Sequence, residues 1–182
     1  MALLAESLVE EWLNRAGYFT VRGIRAGVDE LDLLAVRPRQ DGALEARHVE
    51  VQVSTNPVAY ISPLTDEQTK TLGKKKTSAW ARPDDVLQES VTAWVTKKYF
   101  SPTKLKARDR AWPGVHWTFQ FVHGKARHPE EIDLIASHGI ETIRFYEVLK
   151  SLSSNLSGAP KGSAGSDIAD MIAYYESLRG ER

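Results

Sequence analysis

The chain of 182 residues contains no cysteine. That excludes a disulfide framework, a zinc–thiolate centre and a cysteine nucleophile, and it fits a reducing cytoplasm. Long hydrophobic runs are also missing. No stretch nears the roughly 18–20 apolar residues of a membrane span, so no membrane partner is expected. The opening Met-Ala-Leu-Leu-Ala-Glu-Ser lacks the basic start of a secretory leader. There is no Gly-rich phosphate loop and no GxSxG elbow, which removes two common enzyme classes. Net charge is absent too, with 24 basic and 24 acidic residues.

The balance hides an uneven distribution. From Lys70 to Arg110, eight Lys and three Arg stand against four acids. Such a segment can bind a polyanion locally, although solvated helix faces are often just as basic. Apolar residues make up 42% of the chain and charged residues 26%. Those values and the length fit one folded domain with a real core and an appendage.

Residues 2–16 have helical periodicity, with Leu4, Ala5, Leu8, Val9, Trp12 and Ala16 on one stripe and Gly17 as the stop. Glu6 lies at the stripe edge, while Glu10 and Glu11 are expected to point away. Three strands follow, over 18–25, 30–36 and 46–54, rich in β-branched and aromatic residues. They are joined by Gly27 and by Asp41-Gly42, which makes an antiparallel meander the simplest arrangement. The third strand alternates: Val49, Val51 and Val53 on one face, His48, Glu50 and Gln52 on the other.

Residues 65–81 fit a helix, a loop or a segment that orders on binding, because Gly73 weakens helix. Residues 83–99 are expected to be helical, with Val86, Leu87, Val91, Trp94 and Val95 as the stripe. Residues 101–112 are basic and irregular. A strand over 115–123, a helix over 129–137, a strand over 140–145 and a helix over 146–152 complete an α/β domain spanning 1–150. Ser, Gly and Pro mark 151–166 as a flexible linker. An amphipathic helix over 167–182 then presents Ile168, Met171, Ile172, Tyr175 and Leu178, for docking on its own domain, a second copy or a protein partner.

The chemistry centres on acids set in apolar strands. Asp32 and Glu50 can hold a hard divalent cation, Mg2+ with Mn2+ as its substitute, and the Val51 carbonyl can add an oxygen ligand. Such a cation acidifies water and neutralises phosphate charge, the core of phosphodiester hydrolysis. Gln52 shares the Glu50 face and can orient the attacking water. Lys70, Lys74, Lys75 and Lys76 are candidates for phosphate contacts. Trp80, Trp94, Trp112 and Trp117 could stack on bases, with Trp94 and Trp117 better suited to a core. The five histidines show no metal-ligand pairing, and His48 stands out only because it shares the Glu50 face. Val-Glu-Val-Gln-Val also fits any half-exposed antiparallel strand.

A helix with Glu6, then strands bearing Asp32 and Glu50-Val51-Gln52, resembles the PD-(D/E)XK nuclease superfamily over roughly residues 2–145. The resemblance implies a restriction-endonuclease-like α/β core: an N-terminal helix, a three-stranded meander, then helix-strand-helix-strand on a mixed central sheet. It implies Mg2+-dependent cleavage of DNA or, less often, RNA. Asp32 and Glu50 match the two motif acids, and Glu6 the acid many members carry on the first helix. Gln52 stands where the family usually has lysine, and no proline precedes Asp32. Glutamine can bond a water but brings no positive charge. A lysine from elsewhere, Lys70 or one of Lys74 to Lys76, could supply that charge. The alternative expectation is a catalytically inactive module of the same fold that binds nucleic acid or a protein partner.

Overall fold

Alternation along His48-Val49-Glu50-Val51 gives one strand two different faces, and the fold is built on both. In the computed structural model, residues 2–27, 29–54, 56, 58–154 and 165–180 are described. Helix α1 (Ala2–Arg15) leads into strands β1 (Phe19–Ala26), β2 (Asp29–Pro38) and β3 (Leu44–Gln52). Then come α2 (Asp66–Leu72), α3 (Asp84–Val95), a π-helical turn (Thr96–Phe100) and α4 (Pro102–Ala111). Strand β4 (Trp117–His123), α5 (Pro129–Ser137), β5 (Ile140–Arg144), α6 (Phe145–Ser154) and α7 (Ser166–Gly180) follow.

The five strands lie side by side in chain order. The β1-β2-β3 meander is antiparallel, as expected, while β3-β4 and β4-β5 pair in parallel. The chain is therefore a mixed α/β fold. Parallel neighbours need crossovers, supplied by α2–α4 and by α5.

The back face of the sheet packs on α1, α6 and α7. Ala5, Leu8, Val9 and Leu13 meet Leu33, Ala35, Val49, Val51, Val122, Val148 and Leu152. Gly17, at φ 84°, ends α1 in the left-handed conformation that lacks a Cβ penalty. The front face is covered by α3, α4 and α5, around Leu87, Val91, Trp94, Tyr99, Phe121 and Ile135.

Several expectations change. Residues 101–112 form a capped helix: the Ser101 hydroxyl accepts from the Lys104 N–H at 3.4 Å, and Pro102 occupies the first turn. Within 65–81 only α2 is helical. Thr65 and Gln68 form a capping box, and Gly73 takes the left-handed cap. Glu11 does not point away; it is buried and its Oε1 accepts from Arg15 Nε at 2.7 Å.

The expected 1–150 domain boundary cuts α6, which runs to Ser154. Of the 151–166 linker, residues 155–164 lie outside the described residues, and Ser166 already begins α7. Helix α7 docks on α1 and α6 of its own chain. It does so through Ile168, Ala169, Ile172 and Ala173, leaving Met171 and Tyr175 exposed. A Cβ on Gly165 would collide with the Ser7 carbonyl, so the start of α7 needs glycine to approach α1.

Candidate active site

Strands β2 and β3 stop pairing at Leu33 and Val49. Just beyond, where β2 peels away, Asp32 Oδ2 accepts the Val51 N–H at 2.8 Å. A carboxylate thus takes the place of a ladder carbonyl. Asp32 Oδ1 accepts no hydrogen bond among the described residues. Burial first, then the nearby Glu50 charge, push the Asp32 carboxyl up to about 6, against the pull of Lys98 and the Val51 N–H.

Glu50 sits in the opposite environment. Its side chain is fully buried, and three donors converge on it. Lys98 Nζ reaches Oε2 at 2.7 Å; Lys104 Nζ and His48 Nε2 reach Oε1 at 2.6 and 2.9 Å. Burial opposes ionisation of Glu50, but the His48 bond and the two ammoniums outweigh it and hold the carboxyl at about 2. Arg108 Nη1 donates to His48 Nδ1 at 2.9 Å and to the Tyr99 carbonyl at 2.7 Å. Arginine cannot accept, so Nδ1 must be the acceptor and Nε2 carries the proton given to Glu50. Burial favours that neutral imidazole by pushing the His48 pKa down.

Lys98 stands on the π-helical turn, and its side chain is 32% exposed. Burial works against its charge, but Glu50 and Asp32 outweigh that and raise its pKa. Such single-turn widenings of a helix often occur at functional sites. Lys104 and Arg108 project from α4 one turn apart, and both are buried. A helix whose inward face is two cations carries no apolar stripe, which is why 101–112 read as irregular. Lys98 left a fainter signal: it falls on the Val91, Trp94, Val95 stripe where an apolar residue is expected.

The structure gathers Asp32, Glu50 and His48 as the strand pattern implied. Glu6, on α1, makes no hydrogen bond to them among the described residues, but its charge helps raise Asp32. Burial, mainly, raises the Glu6 pKa in turn. Gln52 lies across from His123 and hydrogen-bonds neither carboxylate. The lysines that reach Glu50 are Lys98 and Lys104, in place of the candidates Lys70 and Lys74 to Lys76. Lys76 pairs with Asp66 at 2.7 Å, and Lys74 lies over Trp80.

Toward a divalent cation the two acids differ: Asp32 keeps one oxygen open, while both Glu50 oxygens already accept from Lys98, Lys104 and His48. Asp32 offers a free oxygen and gains from a positive neighbour, because the Glu50 charge is one cause of its raised pKa. No cluster of three or more His, Asp or Glu side chains stands ready to share a metal among the described residues. Asp32 and the Val51 carbonyl would then be the protein ligands, and Glu50 would join them only by releasing an ammonium. Mg2+ tolerates so few because it retains water.

No protein-family model and no curated protein sequence matches the chain. Among solved structures it is similar to the crystal structure of a protein of unknown function, AF1548, at 12% identity and a TM-score of 0.41 over 100% of both chains. No helix among the described residues is long and apolar enough to cross a membrane.

Proposed function

We propose that the chain is a metal-dependent nuclease of the restriction-endonuclease-like fold, hydrolysing phosphodiester bonds in DNA. The observation that carries this reading is the meeting of Asp32, Glu50 and the Lys98 ammonium where β2 leaves β3. Two acids and a cation are the parts such chemistry needs. Bound Mg2+ would supply Lewis-acid charge to the phosphate and acidify an attacking water. Asp32 and Glu50 would hold it. Lys104 and His48 keep Glu50 ionised and fixed. Lys98 takes the water-orienting, charge-bearing role in preference to Gln52, because it alone of the two touches Glu50. Glu6 adds negative charge behind Asp32, and Lys70 with Lys74 to Lys76 would meet phosphates away from the reacting one.

An inactive nucleic-acid-binding module of the same fold has one observation in its favour. Lys98 and Lys104 already neutralise Glu50, so an ammonium can stand in for a metal. Calorimetric titration with Mg2+ at pH 7.5 separates the two. The nuclease predicts binding that Asp32→Asn abolishes and that weakens below pH 6, as Asp32 takes up a proton. If wild type binds no Mg2+, with or without DNA, while Lys98→Met gains binding, Lys98 is the stand-in cation and the inactive module is the better account.

A further inference from the structure

On the front of the sheet, between α4 and β4, lies an open groove of about 300 Å³. Its walls are Trp112, Trp117 and Phe119, with Leu105, Arg108 and Asp109 from α4. We propose that this groove is a nucleobase subsite selective for guanine.

Arg108 is the first reason. It is 3% exposed, so almost the whole side chain is withdrawn from water. One nitrogen, Nη1, is committed to His48 and the Tyr99 carbonyl, and the guanidinium lies 5.1 Å above the Phe119 ring. Its other edge, Nε and Nη2, has no hydrogen-bond partner among the described residues, and neither atom is sealed in the interior. A buried guanidinium pinned at one corner and open at the other is a preorganised donor fork. Such a fork matches the O6 and N7 acceptors of guanine.

The second reason is the pair of tryptophans. Trp112 is 42% exposed although it is a large apolar ring, and Trp117 is only half-buried. Two indoles flanking one groove form a stacking platform for a flat ring. The third is Asp109. Its carboxylate in the same groove is an acceptor for the N1–H and exocyclic amine of guanine, groups that adenine does not present in that pattern. A donor fork and an acceptor from neighbouring positions of α4, in a groove with aromatic walls, describe a guanine better than an aliphatic ligand. The base could belong to a single strand of nucleic acid or to a free nucleotide. Neither source requires cleavage or metal at Asp32, so the subsite stands apart from the nuclease reading.

The test is tryptophan fluorescence of the full chain in EDTA. The titrants are guanosine 5′-monophosphate, adenosine 5′-monophosphate, an oligothymidylate carrying one guanine, and the same strand with that base removed. Saturable quenching by a guanine ligand is expected, at least about tenfold tighter than adenine or the abasic strand. Quenching by the strand alone assigns the source to nucleic acid; equal quenching by the mononucleotide assigns it to free nucleotide. Trp112→Ala should weaken binding about tenfold or more, Trp112→Phe should restore part of it, and Trp80→Phe should leave it unchanged. Absence of quenching by both guanine ligands, equal binding of the abasic strand, or undiminished affinity in Trp112→Ala overturns the proposal.

Discussion

Val49 and Glu50 are neighbours on β3, and each side chain enters a different layer. Val49 points into the back layer among Leu8, Val9, Leu13 and Leu33. Glu50 points into the front layer among Lys98, Lys104 and His48, with Arg108 behind. The back layer gains from apolar area withdrawn from water. The front layer holds several charged or polar groups in the interior, where hydrophobic replacements of similar shape are often at least as stable. The difference separates what holds this sheet together from what it presents.

The sharpest way to break the comparison is Glu50→Ala. It leaves the Lys104 ammonium buried without its partner, and urea unfolding at pH 7 should show a loss of about 3–5 kcal/mol. Replacing both charges at once, Glu50→Leu with Lys104→Met, should recover much of it. Glu50 has its carboxyl held at about 2 against an ordinary 4.5. Its contribution is therefore present above the ordinary value and fades as pH falls toward 2, so the gap between wild type and Glu50→Ala should narrow in acid. Its two ammonium partners make Glu50 part of what holds the front layer together. In the back layer, Leu13→Ala should cost about 2–5 kcal/mol by leaving a cavity, yet leave Mg2+ binding intact.

Asp32 should behave in the opposite sense to Glu50. Its pKa is raised from 3.8 to about 6, so the folded state holds a proton more tightly than the unfolded chain. The stability this favours is present below the unfolded value and is lost as pH rises through about 6. Asp32→Asn, which still accepts from the Val51 N–H, should stabilise the metal-free protein by roughly 1–3 kcal/mol at pH 7.5. Thermal unfolding at pH 4 should show little difference. The most local effect belongs to α7: the Cβ of Gly165→Ala would meet the Ser7 carbonyl, at a cost of roughly 1–3 kcal/mol limited by undocking of the helix. Hydrogen exchange should quicken in α7 and stay unchanged in β3.

The elements whose hydrophobic period is clean were legible from residue types: α1, the meander, β4 and α5. Asp32, Glu50 and His48 were legible as polar residues on strands otherwise rich in valine and leucine. The front layer was not. Helix α4 buries Lys104 and Arg108, so its inward face looks like solvent-facing sequence. Lys98 sits on the π-helical turn, and its place on the α3 stripe does not by itself announce a contact across 48 residues. Lysines cluster at Lys74 to Lys76, but clustering says nothing of which lysine the fold turns inward. Glu11 is hidden for the same reason: a charge on a helix reads as solvent-facing, and only the fold sets Arg15 beside it in the interior.

The most direct measurement is cleavage of plasmid DNA by the full chain at pH 7.5 with Mg2+, comparing wild type with Asp32→Asn. A nuclease centred on Asp32, Glu50 and Lys98 predicts nicking or linearisation that EDTA stops and that Asp32→Asn slows by about a hundredfold or more. Equal cleavage by both proteins, or none by well-folded wild type with Mg2+ or Mn2+, would contradict it.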